Sequence, residues 1–155
     1  TGAGLAPFDS WLILRGIKTL GIRMEQAQKN ALEIANWLKT QSAVTKVIYP
    51  GLPEHPGYEI MKKQARGFGS MLTFYVDSKE HAFEILEKVR MIKFAESLGG
   101  VETLLTYPTT QTHADVPQEI REKNGITDCT LRLSVGIEDA RDLIAELTQV
   151  FAELS

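Results

Sequence analysis

Apolar residues recur at steps of three and four positions through the first forty residues, a spacing typical of amphipathic helices. The pattern predicts a long helix, or a pair of helices, over residues 9–40, with Asp9 or Ser10 as the N-terminal cap. Because glycine weakens a helix interior, we expect a bend or break near Gly21. The apolar positions are Trp11, Leu12, Leu14, Ile17, Leu20, Met24, Ala27, Ala31, Ile34, Ala35 and Leu38.

Short apolar runs farther along the chain predict the strands of a small sheet. They cover residues 44–49, 70–76, 101–107 and 131–135, with 92–95 as a further candidate. Helices are predicted between them at 58–65, after a cap at Asp77 or Ser78, after Pro117 and from near Asp139. Short connections favour an α/β fold of the α+β type, in which about four mainly antiparallel strands carry helices on one face. The long N-terminal helix precedes this sheet.

The composition is typical of an ordinary folded domain, and it argues against some classes of partner. The chain has 155 residues, with 17 Lys and Arg against 20 Asp and Glu, so its formal net charge is −3. One domain is expected at this length. The absence of a basic block argues against nucleic acid or an anionic membrane as a partner, and the apolar runs are too short to cross a bilayer. With Cys129 as its one cysteine, the chain is expected to be soluble and to reside in a reducing compartment, the cytoplasm.

The strongest candidate for chemistry is Arg132. It lies within Leu131-Arg132-Leu133-Ser134-Val135, where alternation directs the apolar side chains to one face of a strand and Arg132 with Ser134 to the other. An arginine in mid-strand needs an anion, and its planar fork pairs with a carboxylate through two hydrogen bonds. One interpretation is a carboxylate-binding site. The other is a surface arginine paired with a neighbouring glutamate.

Two further segments are rich in polar or flexible residues. Residues 97–100 place Ser97 before two glycines, which permit a tight turn or the close approach of a ligand. Residues 109–115 carry several hydrogen-bonding side chains, although such runs also occur as solvated loops. His55, His81 and His113 are far apart and have no ligand spacing with Cys129, so no metal site is predicted. These segments and Arg132 amount to half of a site, without a nucleophile beside a base.

At these residues the chain resembles the Cys/Met-metabolism, or trans-sulfuration, enzymes that depend on pyridoxal 5′-phosphate. The resemblance spans nearly the whole chain, and five motifs follow in the family's order. They are Pro7-Phe8-Asp9-Ser10-Trp11 with Arg15-Gly16-Ile17-Lys18-Thr19-Leu20, then Tyr49-Pro50-Gly51-Leu52, Ala95-Glu96-Ser97-Leu98-Gly99-Gly100-Val101-Glu102, Thr112-His113-Ala114, and Leu131-Arg132-Leu133-Ser134-Val135-Gly136-Ile137-Glu138.

The resemblance implies that residues 1–155 are the small C-terminal domain of a fold-type I enzyme, with residues 1–40 as a connecting helical region. By its implication, Arg132 binds the substrate α-carboxylate, Ser97 lies beside it, and Thr112 belongs to the same neighbourhood. Glu96 stands where γ-acting members carry a glutamate that meets the distal end of the substrate. This favours γ-replacement or γ-elimination on a homoserine ester or a cystathionine-type amino acid. Some enzymes with the same motif cleave at the β position.

One family feature is absent from the sequence. The Schiff-base lysine, in a Ser-x-x-Lys setting, and the ligands of the cofactor phosphate lie upstream in the family, so no catalytic or cofactor-binding residue is assigned here. The start, Thr1-Gly2-Ala3-Gly4, is no signal peptide and suggests a portion of something longer. Alone, the chain is expected to bind pyridoxal 5′-phosphate weakly and to be inactive. Its expected partners are an amino-acid substrate, the large cofactor domain and further copies in a homotetramer.

Two other functions remain open at the sequence level. The chain could be a non-catalytic binding or regulatory domain derived from this fold, a reading that the absent lysine motif favours. It could also be a self-contained enzyme that uses Glu96, His113 and Arg132, although no spacing brings these three together. The residues encoded upstream of Thr1 would separate the first alternative from the family function.

Overall fold

The computed structural model describes residues 2–155, and these residues form both helices and strands. The helices are α1 (Pro7–Ile17), α2 (Leu20–Leu38), α3 (Tyr58–Gln64), α4 (Lys79–Lys88), α5 (Gln118–Lys123) and α6 (Ala140–Ala152). The strands are β1 (Val44–Ile48), β2 (Met71–Val76), β3 (Lys93–Phe94), β4 (Leu104–Thr106) and β5 (Thr130–Ser134). This mixture confirms the predicted fold class. Within the described residues, no helix combines the length and apolar composition needed to cross a bilayer.

The strands form one sheet in the order β1-β2-β5-β4-β3. All neighbouring pairs are antiparallel except β3 and β4, which run parallel. The sheet has five strands and not about four, because the short segment Lys93–Phe94 pairs with β4. The predicted strand at 101–107 shortens to Leu104–Thr106, since the amide and hydroxyl of Thr103 both donate to Glu138.

The N-terminal region is a pair of helices, and the break between them lies at Lys18 and Thr19, not at Gly21. Thr19 leaves the helical conformation, with φ −112° and ψ 4°, and its hydroxyl donates to the carbonyl of Gly16 at 3.4 Å. Threonine side chains that bond back to the preceding turn bend helices. Gly21 falls in the first turn of α2, where it interrupts nothing.

The predicted cap at Asp9 or Ser10 is wrong, because α1 begins earlier, at Pro7. Proline suits the first turn of a helix, since its fixed φ is helical and no N–H is required there. The Ser10 hydroxyl instead donates to the Ala6 carbonyl at 3.0 Å. The predicted cap of α4 at Asp77 or Ser78 is confirmed at Ser78, which accepts a hydrogen bond from the His81 amide. The predicted start of the last helix near Asp139 is also confirmed, and Asp139 accepts a hydrogen bond from the Arg141 amide there.

The core lies between one face of the sheet and helices α2, α4 and α6, as predicted. Alternate residues of the strands enter it, while their neighbours turn to the opposite face. Core members include Ala31, Ile34 and Leu38 of α2, Leu72 and Phe74 of β2, Ala82 and Ile85 of α4, Leu131 and Leu133 of β5, and Leu143 and Leu147 of α6. The opposite face of β5 carries its polar residues.

A buried amide fastens α2 to the end of β5. Asn30 is 1% exposed, and its Nδ2 donates to the carbonyls of Gly136 at 3.1 Å and Glu138 at 2.7 Å. Its Oδ1 accepts from Gln26 Nε2 at 2.8 Å. All the polar atoms of this side chain are therefore paired, and the chain leaving β5 is held against the helix.

We expect Asn30→Ala to lower the free energy of unfolding by about 2–3 kcal/mol, because two carbonyls lose their donor inside the protein. Urea unfolding monitored by circular dichroism measures the change. Asn36→Ala is the matched control, since Asn36 lies exposed on the same helix and donates only to Leu32 O. Equal losses in the two variants would contradict the role given to Asn30.

The last residue of the chain is held by a histidine on α4. His81 Nε2 lies 2.8 Å from the carbonyl oxygen of Ser155, and its Nδ1 lies 2.6 Å from Asp77 Oδ1. The hydrogen bond to Ser155, followed by that to Asp77, raises the pKa of His81 above its usual value. Two acceptors on one ring favour the imidazolium form, in which both nitrogens donate.

The stability contributed by His81 should fall as the pH rises. Since its pKa is higher in the folded state, the contribution is complete below the unfolded pKa of about 6.5 and disappears above the folded pKa. Urea unfolding of the wild type and His81→Gln at roughly pH 6 and pH 8 tests this. The wild-type advantage should shrink at the higher pH. An advantage independent of pH would disprove the assignment.

Candidate functional site

Arg132 lies at the centre of the sheet, on the face opposite the core. Its register partners are Thr73 on β2 and Thr106 on β4, so the three side chains form a row across neighbouring strands. The arginine is half-buried, and its Nε is buried without a hydrogen-bond partner. None of the ion pairs formed among residues 2–155 involves it. The interpretation of Arg132 as an arginine paired with a neighbouring glutamate therefore has no support in this structure.

A turn at residues 97–100 lies against the same face of β5. The Gly99 amide donates to Ser134 Oγ at 2.9 Å, and Ser134 is two residues from Arg132, which gives both side chains the same orientation. Gly99 has φ +75°, a left-handed conformation that side chains disfavour. The turn therefore requires a glycine at position 99. It lies next to β5, the strand that carries Arg132.

Glu96 and Ser97 extend from the end of β3 into this turn. Both residues are exposed, as is Leu98. The chain just before them is held at Ala95, whose amide donates to Leu105 O at 3.1 Å and whose carbonyl accepts from Thr106 Oγ1 at 3.1 Å. The backbone on either side of Glu96 and Ser97 is therefore attached to β4 and β5, while their side chains face outward.

Thr112 lies in the loop that follows β4. Its Oγ1 is 2.8 Å from His113 Nδ1, and the loop is folded back by a hydrogen bond from the His113 amide to Pro108 O at 2.9 Å. Among residues 2–155, no hydrogen bond joins Thr112 to Arg132, Ser97 or Glu96. The hydrogen bond to Ser134 therefore links the turn that contains Ser97 to β5, the strand of Arg132. Thr112 is connected to these strands only by the chain that follows Thr106.

The end of β5 is shaped by a residue that sequence reasoning did not single out. A Cβ built on Gly136 would lie 2.2 Å from Val101 O and 2.5 Å from a carboxylate oxygen of Glu138. Only glycine allows this approach of two backbone segments. The Gly136 amide donates to Thr103 Oγ1 at 2.9 Å. A glycine just after a patterned strand was the available signal, but its partners are distant in sequence.

The strands that flank Arg132 offer hydroxyls but no amine. Strands β2, β4 and β5 contain no lysine, and Lys93 on β3 directs its Nζ to Arg90 O at 2.5 Å. These residues therefore do not fit a cofactor that must be attached to a lysine. Within the described part of the chain, no group of three His, Cys, Asp or Glu side chains is arranged to hold a metal ion. Burial raises the pKa of the Cys129 thiol, which disfavours its thiolate form.

Comparison with known proteins shows the family of this chain. A family model described as Cys/Met metabolism PLP-dependent enzyme matches residues 1–152. The chain is 52% identical over 149 residues to a cystathionine gamma-lyase of Dictyostelium discoideum, a match covering 96% of this chain and 38% of that protein. It is 49% identical over 148 residues to a cystathionine beta-lyase of Lactococcus lactis subsp. cremoris, covering 96% and 39% respectively.

Solved structures of enzymes from this family also match the chain over nearly its whole length. The fold matches cystathionine gamma-lyase from Lactobacillus plantarum, solved with L-serine, with a TM-score of 0.92 and 44% identity, covering 99% of this chain and 40% of that one. It matches cystathionine gamma synthase from Xanthomonas oryzae pv. oryzae, solved with cystathionine, with a TM-score of 0.89 and 40% identity, covering 95% and 38%. The chain thus spans well under half of these relatives. It belongs to the family of PLP-dependent enzymes of cysteine and methionine metabolism.

Proposed function

We propose that this chain is the substrate-clamping C-terminal domain of a pyridoxal 5′-phosphate-dependent enzyme of the cystathionine γ-synthase or γ-lyase type. Arg132 binds the α-carboxylate of the amino-acid substrate. The observation that carries the proposal is the guanidinium of Arg132, half-buried at the centre of the sheet, with a buried Nε that lacks a partner. Family membership supplies the chemical context.

A carboxylate would complete the arginine's hydrogen bonding. An unpartnered buried donor costs free energy, and a charge-assisted pair with a carboxylate recovers it. Such a pair also fixes direction, because two parallel N–H···O bonds leave the bound group little freedom. The contribution of Arg132 is therefore to hold the substrate in one orientation at its Cα, where proximity and alignment reduce the barrier to reaction.

Glu96, Ser97 and Thr112 complete the proposed substrate contacts. Ser97 lies in the turn attached to Ser134, on the face of Arg132, and is assigned to the region of the α-carboxylate. Glu96 is exposed beside it, so its carboxylate is available to the distal polar end of a long substrate. Thr112 is assigned to the same pocket by family resemblance. Together these residues favour a γ-substituted amino acid over a short one.

The cofactor and the rest of the active site come, in this proposal, from a large domain in the longer protein. When bound, pyridoxal 5′-phosphate withdraws electrons from the substrate's Cα. By resemblance to the family, the attachment lysine is assigned to that domain, and strands β2, β4 and β5 around Arg132 carry none. Exposed apolar residues on α1 support a covering partner: Phe8 is 66% exposed and Trp11 54%. A homotetramer is the proposed assembly, with no nucleic acid or membrane partner.

Replacing Arg132 should impair substrate use and spare the cofactor. In the full-length protein, we expect Arg132→Ala to raise the KM for L-cystathionine about 100-fold through loss of charge-assisted hydrogen bonds. Arg132→Lys should recover only part of this, because an ammonium lacks the planar fork. Steady-state kinetics and the visible absorbance of the bound cofactor are the measurements.

Arg141→Ala is the matched control for the loss of a positive charge. Arg141 lies on α6, with its side chain 87% exposed, and pairs with Asp139. Its removal should leave KM unchanged. An unchanged KM and kcat in Arg132→Ala would disprove the assignment of the α-carboxylate to this residue.

The products formed from L-cystathionine identify the reaction. Elimination at Cγ yields cysteine, 2-oxobutanoate and ammonia, whereas elimination at Cβ yields homocysteine, pyruvate and ammonia. Glu96 favours the γ products. Chromatography separates the two keto acids, 2-oxobutanoate and pyruvate, and so identifies the reaction. Pyruvate as the main product would assign the protein to the β-lyases of the family. No turnover and no visible cofactor absorbance in the full-length protein would favour the non-catalytic binding domain.

A further inference from the structure

Two buried hydroxyls share the face of Arg132 and contact the segment that carries Glu96 and Ser97. Thr106 lies opposite Arg132 in the register of β4 and β5, and Ser134 follows Arg132 by two residues. Each is 1% exposed. Side chains directly opposite each other on neighbouring strands are about 5 Å apart at Cβ, so Thr106 is an immediate neighbour of the arginine.

Each hydroxyl holds one end of the same short segment. Thr106 Oγ1 donates to the carbonyl of Ala95 at 3.1 Å, just before Glu96. Ser134 Oγ accepts from the amide of Gly99 at 2.9 Å, just after Leu98. Between the two anchors, residues 96–98 are exposed and make no side-chain hydrogen bond within the described part of the chain. Their backbone position therefore depends on its attachment at the two ends, where Ala95 is also bonded through its amide to Leu105 O.

We infer that Thr106 and Ser134 are positioning residues that set the distance between the Arg132 guanidinium and the Glu96 side chain, and thereby the length of amino acid accepted. The inference rests on the proposed function, in which these two groups meet opposite ends of the substrate. Arg132 and both hydroxyls belong to adjacent, paired strands, so the two anchors transmit the rigidity of the sheet to an otherwise open segment. We call residues 95–99 the clamped segment.

If Thr106 and Ser134 position the clamped segment, removing either hydroxyl changes that segment directly. A general loss of stability would not single it out. Thr130 provides a matched control, because it lies on β5 two residues before Arg132, is 2% exposed, and accepts a hydrogen bond from the Thr127 amide at 2.9 Å. Its hydroxyl is buried on the same face as that of Ser134, yet it contacts a different loop. Thr130→Val therefore removes a comparable group without touching the clamped segment.

Hydrogen exchange followed by mass spectrometry on the full-length protein tests the attachment without substrate. We expect Ser134→Ala and Thr106→Val to accelerate exchange about fivefold in peptides spanning residues 95–100, as each loses one hydrogen bond. Thr130→Val should leave these peptides unchanged. Thr106→Ser keeps the hydroxyl and should restore protection. Wild-type exchange in both Ser134→Ala and Thr106→Val would overturn the inference.

The second consequence of the inference is control over the length of the bound amino acid, and a long and a short ligand test it. L-Cystathionine spans both groups, whereas L-serine, as an inhibitor, shares only the α-amino acid end. In Ser134→Ala and Thr106→Val, the KM for L-cystathionine, which meets both Glu96 and Ser97, should rise about fivefold. The inhibition constant of L-serine should rise at most about twofold, because this ligand keeps Arg132 and loses only part of its contact with Ser97. Thr106→Ser should return the ratio of the two constants to the wild-type value. Equal weakening of both ligands would overturn the inference.

Failure of the proposed function gives a different result. A wild-type protein that neither turns over L-cystathionine nor binds L-serine would contradict the function. The exchange measurement, which needs no substrate, would then decide by itself whether the two hydroxyls hold the clamped segment. A thermal melt of each variant identifies any that is unfolded, and the Thr106→Val and Thr106→Ser pair remains decisive should Ser134→Ala not fold.

Discussion

One face of β5 must be apolar, to pack against the helices, and the other must carry a charge. The register of this strand satisfies both requirements. Leu131 and Leu133 are completely buried against the helices, while Arg132 faces the other way. A slip of one residue would place the guanidinium in the core and the leucines in the site, so burial on one face enforces the position of the charge on the other. Because β5 pairs with β2 and β4 on its two edges, the arginine stands on the central strand of the sheet.

The same strand organises the loops around it. Its last residue, Ser134, accepts a hydrogen bond from the turn at Gly99, and the chain beyond it approaches Val101 so closely that residue 136 must be glycine. Asn30 fastens this exit to α2. A row of side-chain and backbone hydrogen bonds thus connects the helical core to the open, polar side of the sheet. The proposed site is one half of a pocket built on this rigid support.

Much of this arrangement was predictable from local patterns. Alternation in β5 correctly separated Arg132 and Ser134 from the leucines. The cap at Ser78 followed from the preference of helix N-termini for side-chain oxygens, and the start of the last helix near Asp139 was also correct. Prediction failed where neighbours in space competed with the pattern. Thr19, not Gly21, ended the first helix by bonding back to the preceding turn, and Glu138 shortened a strand by binding Thr103.

The sequence by itself determined the helical and strand segments, the polar face of β5 and, through five ordered motifs, the family. Periodicity and capping act over a few residues, so they can be read along the chain. Only the tertiary structure decided that Thr106 stands opposite Arg132 and that Ser134 meets Gly99. Those contacts join residues far apart in sequence and depend on strand order and register, which arise when many segments bury their apolar faces together.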